Sequence, residues 1–298
     1  MKLGIFDSGL GGLTVLNELC KYNPGLDIVY FGDTARVPYG SRSPETILRY
    51  AVQDVEFLLR QGTQAILVAC GTVSATALPA LREKFSVPIF GVIETACRHA
   101  AAVTQTGHIA VLGTQATIAS GTYGRSLRAY NPALRVTGVA CPLFVPLIEN
   151  GFDAADPITR LTCERYLAPL RGTDIDTLIL GCTHYPFLQK TIAETLPGVR
   201  LIHTGTALAL ALPELLGDSK PQAQGDMQSK LPISSDVRGR ADDGESQPHT
   251  RSDTKSKPSM PSDMRCYVSD AETGFLHIAN RFLDAVQVKE AIQVSPES

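Results

Sequence analysis

Short runs of branched apolar residues alternate along this chain with stretches whose apolar positions recur every three or four residues. LGIFD (3–7), LDIVYFGD (26–33), ILVACGTVSA (66–75) and VPIFGVIE (87–94) are such runs. Each ends at glycine, aspartate, threonine or cysteine, as a buried parallel strand feeding a turn does. Between them, 44–60 places Ile47, Leu48, Ala51, Val55 and Leu58 on a helical period. The order β-α-β-α-β predicts a parallel sheet covered by helices.

A second unit repeats this order. Its helix covers Ala96 to Val103, and HIAVLGTQATIASG (108–121) has the layout of the opening GIFDSGLGG: strand, small polar turn, helix start. LRVTGVACP (134–142) reads as a strand, Pro157 to Leu170 as a helix, and DTLILGCTHYP (176–186) and VRLIHTG (199–205) as the last strands. The predicted fold is α/β: two similar lobes of mainly parallel sheet flanked by helices, with the active site in the cleft between them. The first lobe spans 1–96 and the second 97–204, and 205–217 returns to the first. Residues 218–264 are rich in Ser, Asp, Lys, Gln and Pro and have no aromatic side chain, with seven basic against eight acidic groups. Such a segment buries too little apolar surface to offset its ordering entropy, which predicts a disordered insertion. In 265–298, RCYVSD (265–270) reads as a strand and AETGFLHIANRFL (271–283) as an amphipathic helix packing on the first lobe.

Composition removes several functions. Apolar residues make up 44% of the 298, ample for a core, and the net charge is −3 without a basic stripe, so no nucleic-acid partner is expected. No apolar run approaches a membrane span, and MKLGIFDSGLGG lacks a signal peptide's long apolar stretch. A cytoplasmic protein is expected. The seven cysteines show no zinc-like spacing, so no metal is expected. Cys20, Cys97, Cys141 and Cys163 read as small buried hydrophobes.

Cys70 and Cys182 differ, because each ends an apolar run and precedes threonine and turn residues. Both belong at strand C-termini, where open α/β sheets bind ligands. A helix start after Cys70, capped by Thr72 or Ser74, favours its thiolate. His184 can relay a proton beside Cys182, although an ordinary core histidine is the plainer account. Asp7 and Ser8 end the first strand, where Asp7 can orient the Cys70 side or act as a helix N-cap. SGLGG (8–12) lacks the lysine and spacing of a phosphate loop. In PYGS (38–41), Gly40 permits close backbone approach and Tyr39 can cover a ligand, unless this is a simple turn. Two thiols on opposite faces of one carbon are what cofactor-free racemisation needs, since one takes the Cα proton and the other supplies one. Thiols suit the task because their ordinary pKa is near neutrality.

DSGLGG (7–12), YFGDTARVPYG (30–40), the Cys70–Thr72 turn, GCTHYP (181–186) and PLFVPLIENG (142–151) together resemble the bacterial glutamate racemase family, a branch of the cofactor-independent aspartate/glutamate racemases. The likeness covers about 1–216 and resumes at 265–283. It implies conversion of L-glutamate to D-glutamate for peptidoglycan, hence for cell-wall biogenesis and cell shape, without a cofactor. It implies Cys70 and Cys182 as the acid/base pair, with Asp7, His184 and Glu149 in support. Implied substrate contacts are Asp7, Ser8, Tyr39, Gly40, Gly71, Thr72, Thr117, Thr183 and His184. A homodimer stays open.

The chain departs from the family pattern at three places. Gly71 stands where asparagine is usual, which removes a side-chain amide. IHTG (202–205) replaces a run ending Asp-Ser-Gly, and the long insertion is extra. The first departure leaves racemisation of aspartate or another amino acid as an alternative. A glutamate-binding regulatory protein without catalysis is the other.

Overall fold

The computed structural model describes residues 1–217, 264–270 and 290–296, together with Leu276, Ala279, Leu283 and Val288. The first unit runs β1 (Lys2–Asp7), α1 (Gly12–Tyr22), β2 (Asp27–Gly32), α2 (Pro44–Arg60), β3 (Ala65–Val68), α3 (Gly71–Thr76), α4 (Leu78–Lys84) and β4 (Ile89–Gly91). The second runs α5 (Ile93–Val103), β5 (His108–Gly113), α6 (Gln115–Ala119), α7 (Thr122–Tyr130), β6 (Arg135–Ala140), α8 (Phe144–Glu149), α9 (Pro157–Leu167), β7 (Thr177–Leu180), α10 (Gln189–Thr195) and β8 (Arg200–His203). Then come α11 (Thr204–Gly217), β9 (Arg265–Val268) and β10 (Ala291–Gln293). Among the described residues no helix is long and apolar enough to cross a membrane.

Two wholly parallel sheets result, ordered β10-β9-β2-β1-β3-β4 and β6-β5-β7-β8. The four strands β2-β1-β3-β4 and β6-β5-β7-β8 share one connectivity, so the repeat extends to topology. Backbone hydrogen bonds match as well. Ala69 N–H donates to Phe6 O as Gly181 N–H does to Leu112 O, and Asp33 N–H donates to Asp7 O as Cys141 N–H does to Gly113 O. Asp7, Ser8, Asp33 and Cys70 therefore correspond to Gly113, Thr114, Cys141 and Cys182.

Helices pack as their periods dictate. On α2, Ser43 caps the start by accepting from Thr46 N–H, Pro44 fills the first turn, and Ile47, Ala51, Val55 and Leu58 are buried. α11 lies against α1 and α5 and joins a core cluster with residues from both sheets. A second cluster fills the outer face of the first sheet and a third that of the second.

Some element bounds differ from expectation. The run 87–94 is a strand only to Gly91, and α5 starts at Ile93. The run at 199–205 ends as a strand at His203, and α11 begins at Thr204. Apolarity continues across the first boundary because Val92 and Ile93 are buried in a helical turn, and a short apolar run does not distinguish the two states. Cys70 itself is the N-cap of α3. Thr72 and Ser74 lie inside that helix, and the Ser74 hydroxyl donates to Val68 O instead of capping. β10 had no counterpart in the expected elements. The expected insertion, apart from Met264, and the expected helix over 271–283, apart from Leu276, Ala279 and Leu283, lie outside the described residues.

Candidate active site between the two sheets

In each sheet the chain moves to one side of its first strand and then to the other. That creates a switch point between β1 and β3, and another between β5 and β7. Open α/β sheets bind ligands outside the strand C-termini at such points. Ser8 and Cys70 follow β1 and β3; Thr114 and Cys182 follow β5 and β7. All four line one cavity of about 250 Å³.

The first unit contributes Ser8, Val37, Pro38, Tyr39, Gly40, Ser41, Cys70, Gly71 and Thr72 to its wall. The second contributes Thr114, Gln115, Cys141, Pro142, Val145, Pro146, Glu149, Cys182, Thr183 and His184. The volume suits a molecule of amino-acid size. Among the described residues no lysine or arginine lines it. Groups there able to meet an anion are hydroxyls, backbone N–H groups and the His184 imidazole.

Cys70 is almost fully buried, with its sulfur 3.5 Å from Ser8 Oγ. Burial and the nearby Asp7 carboxylate push its thiol up to about 12, against the contacts from Ser8 and Val73 N–H. A protonated thiol results on this face. Asp7 lies behind it, wholly buried. One Asp7 oxygen accepts from Gly9 N–H at 3.0 Å and the other from the Thr183 hydroxyl at 3.4 Å. Burial raises the Asp7 pKa, against His184 and the N–H groups of Gly12 and Gly9.

The opposite face is built differently. Cys182 Sγ is 3.8 Å from His184 Nδ1, and His184 Nε2 is 3.0 Å from Glu149 Oε1. Burial alone lowers the imidazole pKa, but its hydrogen bonds to Cys182 and Glu149 outweigh this and push it up to about 10. The charged ring thus stands between the Cys182 sulfur and the Glu149 carboxylate. The chain after Cys182 makes a 3-10 turn over Tyr185–Leu188 before α10, so only Cys70 directly caps an α-helix.

Glycines bring the faces together. A Cβ at Gly71 would lie 2.3 Å from Gly181 O, one at Gly11 2.3 Å from Thr183 Oγ1, and one at Gly40 2.6 Å from Thr114 Cβ. Thr14 Oγ1 donates to Thr183 O at 2.8 Å, which ties α1 to the second cysteine turn.

Of the residues expected from sequence, Cys70, Cys182, Ser8, Gly40, Gly71, Thr72, Thr183, His184 and Glu149 meet at the cavity. Asp7 stands one layer behind. Thr117 also falls behind the wall, because its hydroxyl bonds Thr114 Oγ1 at 2.9 Å while Thr114 faces the cavity. Tyr39 lines the cavity, but its hydroxyl turns away to Asp33 and Asp54. Val37, Pro38, Ser41, Thr114, Gln115, Cys141, Pro142, Val145 and Pro146 also line the cavity and were missed. Aligning 108–121 with the opening strand and turn places Thr114 opposite Ser8, and that signal marks it.

The sequence profile of the Asp/Glu/hydantoin racemase family matches residues 13–212. The chain is 48% identical over 215 residues to a glutamate racemase of Geobacter metallireducens, covering 72% of this chain and 79% of that protein. A crystal structure of glutamate racemase from Francisella tularensis in complex with D-glutamate is similar to it, with a TM-score of 0.80 and 31% identity over 99% of this chain and 98% of that one. Another, from Thermus thermophilus in complex with β-chloro-D-alanine, gives a TM-score of 0.74 and 36% identity, covering 99% and 96%.

Proposed function

The chain belongs to the Asp/Glu/hydantoin racemase family, and from that premise we propose that it interconverts L- and D-glutamate by two thiols acting on opposite faces of Cα. The observation that carries this reading is that Cys70 and Cys182, from equivalent positions of two sheets, line one small cavity. The relatives named glutamate racemase, one of them holding D-glutamate, point to the substrate.

The two faces support a resting state with unlike thiols. Cys182, paired with the charged His184, is the base that takes the Cα proton; Cys70, neutral, is the acid that returns one to the other face. After one turnover the assignment is reversed, and the opposite enantiomer starts from thiolate at Cys70. Glu149 holds the imidazolium, and Asp7 orders the turn at Ser8 and Gly9 and holds Thr183. Ser8, Thr72, Thr114 and Thr183 supply hydroxyl groups, and the α3 N-terminus supplies N–H groups, for the substrate's carboxylates and the charge that develops beside Cα. The product serves bacterial peptidoglycan synthesis in the cytoplasm.

Exchange of the Cα proton with deuterated water, measured on L-glutamate, D-glutamate and both aspartates, tests the reading. Deuterium entering glutamate with loss of optical rotation is expected. Exchange confined to aspartate would replace the substrate, and glutamate binding without exchange would replace catalysis with regulation.

A further inference from the structure

The chain between β2 and α2, with its partner on α2, carries an assembly that the chemistry above leaves unused. Asp33 and Asp54 are both wholly buried. Arg36 bridges them, with Nε 2.5 Å from Asp33 Oδ2 and Nη2 2.9 Å from Asp54 Oδ1. The Tyr39 hydroxyl sits between the same carboxyl groups, donating to Asp33 Oδ2 and lying 3.1 Å from Asp54 Oδ2. A phenol has one hydrogen, so it cannot donate to both. With both acids ionised, the Tyr39 and Asp54 oxygens would meet lone pair to lone pair in a dry site. One proton on Asp54 removes the conflict: Asp54 donates to Tyr39, and Tyr39 donates to Asp33. One carboxylate then faces one guanidinium, and the cluster is neutral. Burial and the charge of Asp33 hold the Asp54 carboxyl well above the usual range, in keeping with this arrangement.

Further contacts make the cluster a mechanical link. Ser269, just past β9, donates to Asp33 Oδ1 at 2.8 Å and accepts from Ala35 N–H at 2.8 Å. On the cavity side Tyr39 leads into Gly40, which packs on Thr114 of the other sheet. The cavity wall at 37–41 is held between the buried carboxyl pair and that threonine.

We propose that Asp33, Arg36, Tyr39 and Asp54 are positioning residues that form one neutral latch with the shared proton on Asp54, that Ser269 completes it, and that it sets the 37–41 wall over the two thiols. The effect on kinetics rests on the racemase reading; the latch itself does not. The two acids have unlike duties. Asp33 only accepts, from Arg36, Tyr39 and Ser269. Asp54 accepts at Oδ1 and donates at Oδ2. A carboxamide has one acceptor side and one donor side. Asp54→Asn therefore reproduces the latch. Asp33→Asn turns one of its two accepting oxygens into a donor and strips Arg36 of its counter-charge.

Amide hydrogen exchange over 37–41, measured on the full chain without substrate, separates these cases. Asp33→Asn and Tyr39→Phe are expected to exchange there about tenfold faster than the parent, and Asp54→Asn within about twofold of it. With glutamate, the first two raise KM about fivefold or more while kcat changes less, and Asp54→Asn keeps the parent KM. Should Asp33→Asn fail to fold, Ser269→Ala carries the test, with exchange about threefold faster at 37–41. Equal effects of Asp33→Asn and Asp54→Asn, or unchanged exchange in Ser269→Ala, would overturn the latch. A parent inactive on glutamate but showing this exchange pattern would sink the racemase reading and leave the latch standing.

Discussion

Gly71 stands against the carbonyl oxygen of Gly181, so close that a Cβ on it would lie 2.3 Å away and 3.7 Å from Cys182 Cα. The residue after one cysteine thus rests on the peptide before the other. The obstacle is backbone, which cannot rotate aside. Gly71→Ala must part the two turns and widen the gap between the sulfurs. A loss of about tenfold or more in kcat/KM is expected, since overpacking costs about 1–3 kcal/mol and misplaces the reacting groups. Steady-state racemisation, with thermal unfolding as a control for stability, checks it. A parent-like rate would mean that the turns yield without consequence.

In the proposed mechanism each thiol serves one face. Cys70→Ala and Cys182→Ala should each reduce racemisation by at least about a thousandfold, because one proton then has no donor or acceptor. Elimination of a β-substituent needs proton removal from one face alone. Each variant should therefore keep elimination from one enantiomer of a β-chloro amino acid, with opposite preferences. Chiral chromatography and halide release read this directly. Loss of both eliminations in both variants would refute the division of labour.

Glu149 holds the His184 ring from the side opposite Cys182. Glu149→Gln removes a charge that keeps the imidazole protonated, so proton transfer at Cys182 loses the support of its partner. Enantiomers have equal free energy in water, so kcat/KM must fall equally in both directions, by about ten- to a hundredfold. The individual kcat values need not fall equally, and the direction that starts at Cys182 should suffer more. Progress curves from pure L- and pure D-glutamate measure both. An equal loss of the two kcat values would show that His184 does not favour one sulfur.

Stability should depend on pH through His184. Its folded pKa, about 10, stands above its ordinary 6.5. Below about 6.5 both the folded and the unfolded chain hold this proton, and the contribution is complete. As pH rises toward 10 only the folded chain holds it, so the contribution drains away and is gone above that value. The parent should lose about 2–4 kcal/mol from this group across the window, and Glu149→Gln less. Denaturant unfolding between about pH 6 and about pH 10 measures the two slopes. Equal slopes would remove the imidazolium from the account.

Local order carried much of this protein into its sequence. A strand buried on both sides must be written as an apolar run, so β1, β2, β3, β5 and β7 were legible, as were the cysteines two residues beyond β3 and β7. The repeated order of elements announced two similar lobes, while their common strand order and its switch points emerged only in the fold. What no period records is which distant turns touch. Only tertiary packing decided that Gly71 meets Gly181, that Thr114 and not Thr117 faces the cavity, and that the Tyr39 hydroxyl turns toward Asp33 and Asp54. Likewise the cap of α3 fell to Cys70, because Ser74 found its partner in Val68. Side-chain patterns declare which face of an element is dry. The separation between two turns more than a hundred residues apart depends on how whole layers settle, and that sum is made only in three dimensions.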